Sequence, residues 1–182
     1  MLSDQKGSIF MHLHLARCDV RTFREDDAES LAFHANNRKI WINLRDLFPH
    51  PYTITDAEEF LKKSIALDPE TRFAVAVDGK AVGAIGFGLR TDVERISAEI
   101  GYWLGEPFWN RGIMTEVLRA VTEYAIAEHG LMRIYALPYA WSHASCRVLE
   151  KSGYLLEGRL RRSAVKDGKI TDQFLYAYVV PK

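Results

Sequence analysis

Apolar and polar positions follow two different periods along this chain, and each change of period marks an element. Residues 1–11 have no regular period and read as a flexible leader before a single domain over 12–182. Leu13 to Phe23 alternates loosely, which predicts a first strand. Glu25-Asp26-Asp27 supply acidic residues for the start of a helix reaching about Asn36. From Asn37 to Tyr52 the chain is irregular and aromatic, and Pro49-His50-Pro51 bars a helix. Thr55 with Glu58 fits a capping box and predicts a second helix to about Leu67.

A run of strands follows. Phe73 to Val77 turns at Asp78-Gly79 into Ala81 to Leu89, a dipeptide that favours a tight hairpin. Ala98 to Leu104 is the next strand. After an aperiodic stretch, Met114, Val117, Leu118, Val121, Tyr124 and Ala125 recur at helical spacing up to His129, with Gly130 as the stop. Arg133 to Leu137 reads as a strand, Ala144 to Ser152 as a short helix, and Leu155 to Lys166 with Ile170 to Val180 as a terminal hairpin about Asp167-Gly168. Helices interleaved with these strands give an α/β (α+β) class: one domain with a mixed, mostly antiparallel sheet flanked by helices.

Composition narrows the function. Lys plus Arg and Asp plus Glu both number 24, so no general attraction to nucleic acid or to anionic lipid follows. No apolar run approaches the roughly 18 residues of a membrane span, and the N-terminus lacks a secretory pattern. Cys18 and Cys146 match neither a disulfide framework nor a metal site and read as buried thiols in a reducing compartment. His12 and His14 lie far in sequence from any Cys or carboxylate cluster. A cytoplasmic, metal-free protein is the expectation.

The most informative segment is Trp109-Asn110-Arg111-Gly112-Ile113-Met114-Thr115-Glu116, between a strand and an amphipathic helix. A helix N-terminus offers unpaired N–H groups and partial positive charge, which suit a phosphate. Gly112 lets the backbone approach closely, Arg111 adds a cation and Thr115 a hydroxyl. Alone, such a loop is as readily structural.

Its neighbours add to it: Ala98-Glu-Ile-Gly-Tyr-Trp-Leu-Gly105 upstream and Ser142-His-Ala-Ser-Cys-Arg-Val-Leu-Glu-Lys-Ser-Gly-Tyr154 downstream. In this order and spacing the three blocks resemble the GNAT superfamily of acetyltransferases, in particular the branch containing the ribosomal-protein N-terminal acetyltransferases. The resemblance runs from about Leu15 to Val180. It implies acetyl-CoA as co-substrate, with the backbone near Trp103 and Leu104 pairing with the pantetheine arm and the N–H groups from Arg111 through Gly112, Ile113 and Met114 to Thr115 holding the pyrophosphate. Asn110 stands where that family usually has Gly, Met114 where a small residue is common, and Ser142 replaces the usual Asn. Lys151 and Arg147 either reach the phosphates or are simply solvated.

Acetyl transfer needs a free amine. Near neutrality, removing the proton costs about 1 kcal/mol for an α-amine and about 4–5 kcal/mol for a lysine. Glu99 is the candidate base: alternation puts it with Gly101 and Trp103 on one strand face, and a charge inside an apolar strand is unusual. The alternative is a solvated residue, or one paired with a nearby Arg. The position where many relatives place an acidic Tyr is Leu149 here, which leaves Ser145 either to hydrogen-bond the sulfur or to pack its helix.

The acceptor amine, a peptide or protein N-terminus or a small molecule, would be chosen in the irregular region, where Trp41 and Tyr52 could wall an apolar slot and Asn37 or His50 fix a polar group. The same aromatics could instead anchor that connection to the core. The implied partners are acetyl-CoA and the amine acceptor, with no nucleic acid or membrane, and a homodimer is left open. A non-catalytic acetyl-CoA-binding sensor is the alternative function.

Overall fold

A computed structural model describes residues 11–181. Two short strands, β1 (His12–His14) and β2 (Asp19–Arg21), are followed by a 3-10 turn, Glu25–Asp27, and helices α1 (Ala28–Ala35), α2 (Arg38–Trp41) and α3 (Ile54–Ile65). Then come β3 (Arg72–Val77), β4 (Lys80–Leu89), β5 (Ser97–Leu104), α4 (Ile113–His129), β6 (Arg133–Ala136), α5 (His143–Lys151), β7 (Leu155–Lys166) and β8 (Lys169–Val179). The strands form one sheet in the order β1-β2-β3-β4-β5-β6-β8-β7. Every neighbouring pair is antiparallel except β5 with β6.

Alternation along the central strands divides the core between the two sheet faces. Phe73 and Val75 of β3, with Ile85 and Phe87 of β4, join Val117, Leu118 and Val121 of α4 and Leu149 of α5. Ala74, Ala81 and Ala84 meet Leu31 and Ala35 of α1 and Ala57 and Leu61 of α3. Small residues on that face let two helices lie close to the sheet. Asp78 and Gly79, both at positive φ (52° and 78°), turn β3 into β4, as a two-residue hairpin linker of that composition requires.

Three local expectations are corrected. The single strand over 13–23 is a two-stranded hairpin, because the chain reverses between His14 and Asp19 and pairs those two residues. Helix α3 is capped two residues earlier than expected: Thr53 Oγ1 accepts from the Asp56 N–H (3.2 Å) and the Asp56 carboxylate accepts from the Thr53 N–H (2.8 Å). Thr55 and Glu58 satisfy the same pattern, but the chain turns helical directly after the buried Tyr52. The region 37–52 contains one helical turn, α2, with Asn37 as its cap. Of the leader 1–11 only Met11 lies among the described residues; it is buried, and its carbonyl accepts from the Thr22 N–H.

Candidate active site

The parallel pairing of β5 with β6 stops early. Its register runs Ser97↔Arg133, Ala98↔Ile134 and Glu99↔Tyr135, while β5 continues to Leu104. From Ile100 onward the two strands part, leaving a forked opening with an unpaired β5 edge. β5 alternates as its sequence implies: Ala98, Ile100 and Leu104 are buried against the α4 face, while Glu99, Gly101 and Trp103 point to the other. Trp103 packs edge-on to Phe48 (5.8 Å between centroids), and the Leu104 carbonyl accepts from Trp109 Nε1 (2.7 Å).

At the open end of β5 the chain enters α4. Asn110 and Gly112 both take left-handed conformations (φ 60° and 78°). That explains why Asn stands at position 110 in place of Gly, since Asn tolerates this region better than other side chains. Alternation of this kind turns successive N–H groups toward one concavity, and the first turn of α4 adds its own unpaired donors. The side chains of Ile113 and Met114 are buried in the core, so only their backbone faces the loop. Arg111 lies over the Phe108 ring (5.5 Å). Beside the loop is a hollow of about 560 Å³ lined by Arg17, Gly112, Thr115, Arg119 and Lys151 among others. The β1–β2 turn is tied to it through Glu116, which accepts from the Ala16 N–H (2.6 Å) and pairs with Arg17 (3.2 Å). Ser142 does not reach this hollow; it is buried at the start of α5, its N–H donating to the Tyr139 carbonyl (2.8 Å).

At the closed end of the fork stands Glu99, and the arginine pairing is present twice over. Arg45 Nη2 contacts one carboxylate oxygen and Arg90 Nη2 the other (2.8 Å). Arg90 also donates from Nε to the Tyr135 hydroxyl (2.7 Å) and lies over that ring (5.4 Å). Across the fork, the Tyr102 hydroxyl meets Ser145 Oγ at 2.9 Å. Arg45, Arg90, Tyr135 and Tyr102 were not among the sequence candidates. Arg90 could have been found from strand register, because Glu99 pairs with Gly88 two residues away. Arg45 could not, since the loop carrying it has no period.

The four residues expected to meet the acceptor are not gathered beside Glu99. Asn37 caps α2 through the Lys39 N–H (2.8 Å) and donates to Glu106 (2.7 Å). Trp41 is covered by the Lys166 ammonium, 3.7 Å from its ring centroid, and by His50 (5.7 Å). Lys166 is fully buried and pairs with Asp46 (2.7 Å), while Arg38 pairs with Asp167 (2.6 Å), so the tip of the β7–β8 hairpin is fastened to the α2 region. Tyr52 is buried against Phe48 (4.7 Å), and burial pushes its hydroxyl up to about 12. These aromatics anchor the irregular connection.

One inference from spacing is also corrected. The β1–β2 hairpin brings Asp19 to His14 (2.7 Å) and near His12 (3.7 Å), so the two exposed histidines do have a half-buried carboxylate beside them, in a trio able to offer three ligand atoms. Both cysteines are buried and free, and burial raises the Cys18 thiol to about 11. Among the described residues no helix is long and apolar enough to cross a membrane.

The sheet is thus forked between two parallel strands, with a loop of left-handed turns leading into a helix N-terminus at the end of the first. Residues 17–155 match the acetyltransferase (GNAT) domain family. Probable N-acetyltransferase YjcK of Bacillus subtilis (strain 168) is 31% identical over 173 residues, covering 89% of this chain and 93% of that one. Uncharacterized N-acetyltransferase YoaA of the same organism is 36% identical over 101 residues, 56% of either chain. The fold matches RimL, a ribosomal-protein alpha-N-acetyltransferase solved in complex with coenzyme A, with a TM-score of 0.82 at 20% identity over 93% of this chain and 98% of that one. The chain belongs to the GNAT acetyltransferase family and is an N-acetyltransferase.

Proposed function

We propose that the protein carries an acetyl group from acetyl-CoA to a primary amine, a peptide or protein N-terminus or a small molecule, with both substrates bound together and the amine attacking directly. The observation that carries this reading is the fork: the unpaired edge of Ile100–Leu104 runs between the Asn110–Thr115 loop and Glu99. The residues fit the coenzyme at both ends. Backbone donors from Arg111 to Thr115 suit a pyrophosphate, with Lys151 beside them, and the edge of β5 that β6 leaves unpaired before Leu104, whose carbonyl Trp109 takes, suits an extended amide-bearing arm. RimL's coenzyme A complex supports the same assignment. The bound thioester supplies the activated acetyl group. Glu99 takes the ammonium proton, directly or through water, and Ser145 with Tyr102 hydrogen-bonds the departing sulfur.

The double arginine contact on Glu99 favours a second reading, an acetyl-CoA-binding sensor without turnover, because both carboxylate oxygens are already occupied. Thiol release from acetyl-CoA against a panel of peptides, amino acids and amines separates the two. Turnover on any amine, with Glu99→Gln lowering kcat far more than coenzyme affinity, is the expected result. Tight acetyl-CoA binding with no turnover on any acceptor would replace it with the sensor.

A further inference from the structure

Arg45 and Arg90 bracket Glu99 in a way that binding an amine does not require. Arg90 is held twice, by Glu99 and by the Tyr135 hydroxyl and ring. Arg45 has Glu99 as its sole side-chain partner among the described residues, and its side chain is 66% exposed. Each guanidinium offers five donors in a planar fork matched to a carboxylate, so one glutamate shared between two of them leaves donors over. Glu94 acts on Arg90 at longer range without an ion pair, and Asp46, beside Arg45 in sequence, is engaged by Lys166.

The floor between these side chains is bare backbone. Gly88 lies opposite Glu99, and Gly101 stands two residues further along the same face of β5; a Cβ on either would meet nothing within 4 Å. The hollow so formed, about 250 Å³, is lined by Arg45, Arg90, Glu99, Gly88 and Gly101 among others. That is below the usual range for drug-sized ligands and suits a small acceptor or the tip of a peptide.

Building on the acetyltransferase reading, we infer that this hollow is an acceptor subsite for a carboxylate carried next to the reacting amine. The incoming carboxylate takes Arg45 in place of Glu99, and the freed oxygen of Glu99 receives the acceptor's ammonium. The exchange keeps every charge paired. A neutral acceptor must break the Arg45–Glu99 contact and offers Arg45 nothing in return. The carboxylate has two possible sources, an acidic side chain near a peptide N-terminus or the α-carboxylate of a free amino acid.

The test uses the acceptor amines themselves with coenzyme A in place of acetyl-CoA, so that ammonium and carboxylate are both present and no turnover occurs. Calorimetry on the intact protein compares two matched pairs: a peptide with a free N-terminus and Asp or Asn as its second residue, and alanine or its amide. One charge-assisted hydrogen bond kept at Arg45 rather than lost is expected to make the carboxylate member about tenfold tighter in the pair matching the true source. Arg45→Gln should compress that ratio to about twofold or less, and Arg45→Lys should restore part of it. Equal affinities in both pairs, a preference untouched by Arg45→Gln, or no binding of any of the four at millimolar concentration overturns the inference. Absence of thiol release with every amine would defeat the acetyltransferase reading instead, and leaves the binding comparison readable.

Discussion

Tyr102 and Ser145 meet hydroxyl to hydroxyl at 2.9 Å across the fork, one from β5 and the other from α5. Burial raises the Tyr102 phenol above its ordinary value, although its bond to Ser145 works the other way, so the pair holds a proton throughout the neutral range. A departing thiol with a pKa near 8.5 needs that proton only below this pH. Ser145→Ala is therefore expected to lower kcat about threefold to tenfold near pH 7, with the loss fading above about pH 9. An initial-rate pH profile checks this; a loss equal at every pH would make Ser145 a packing residue.

Gly101→Leu fills the hollow beside Glu99 without meeting a neighbouring atom at its Cβ. Steady-state kinetics should show a raised acceptor KM, about tenfold or more for a site that loses most of its room, while acetyl-CoA affinity shifts little. A parallel rise in both constants would place the acceptor elsewhere.

At the other end of the fork, Gly112 has φ 78°, and a Cβ there costs about 1–2 kcal/mol. Gly112→Ala is expected to lower the melting temperature by a few degrees and to weaken acetyl-CoA binding. Calorimetry with coenzyme A reads the second effect, and unchanged affinity would remove the loop from pyrophosphate binding.

Two histidines set an acid limit. Desolvation lowers the pKa of His34, and it lowers that of His129 against an opposing pull from Glu128. Each takes up a proton more readily when unfolded, so their contribution is complete above about pH 6.5 and shrinks as the pH falls through that value toward their folded pKa. His129 sits between Phe87 and Tyr124 with its Nε2 unpartnered among the described residues. The melting temperature should drop between pH 7 and pH 5.5, and His129→Phe should flatten the slope.

Arg21 and Asp27 form a buried two-point ion pair, at 2.8 and 2.6 Å. Removing the anion alone leaves a buried guanidinium, at a cost of about 3–5 kcal/mol. Asp27→Ala should lower the denaturation midpoint accordingly, whereas a change within error would mean that Arg21 finds another acceptor.

The sequence made the elements behind the fork legible because each carries its own local signal. Alternation sets the faces of β5, Asp-Gly pairs set two hairpins, and helical spacing from Met114 to Ala125 sets α4. The left-handed turn before α4 and the face on which Glu99 stands were visible for the same reason. What escaped depends on contacts between distant segments. Arg45 reaches Glu99 over 54 positions, and Tyr102 reaches Ser145 over 43. The packing of the aromatics proposed for the acceptor escaped on the same ground. Nothing local in Trp41 shows that Lys166 lies on its ring, or in Tyr52 that α1 and α3 enclose it.

That attachment of the hairpin tip to the α2 region bears on how acceptor preference can be transplanted. A relative that receives residues 38–46 of this chain takes a loop shaped against a lysine and an aspartate more than a hundred positions away. Without positions 166 and 167 from the same donor, Arg45 has no fixed base to extend from. The two segments form one heritable unit.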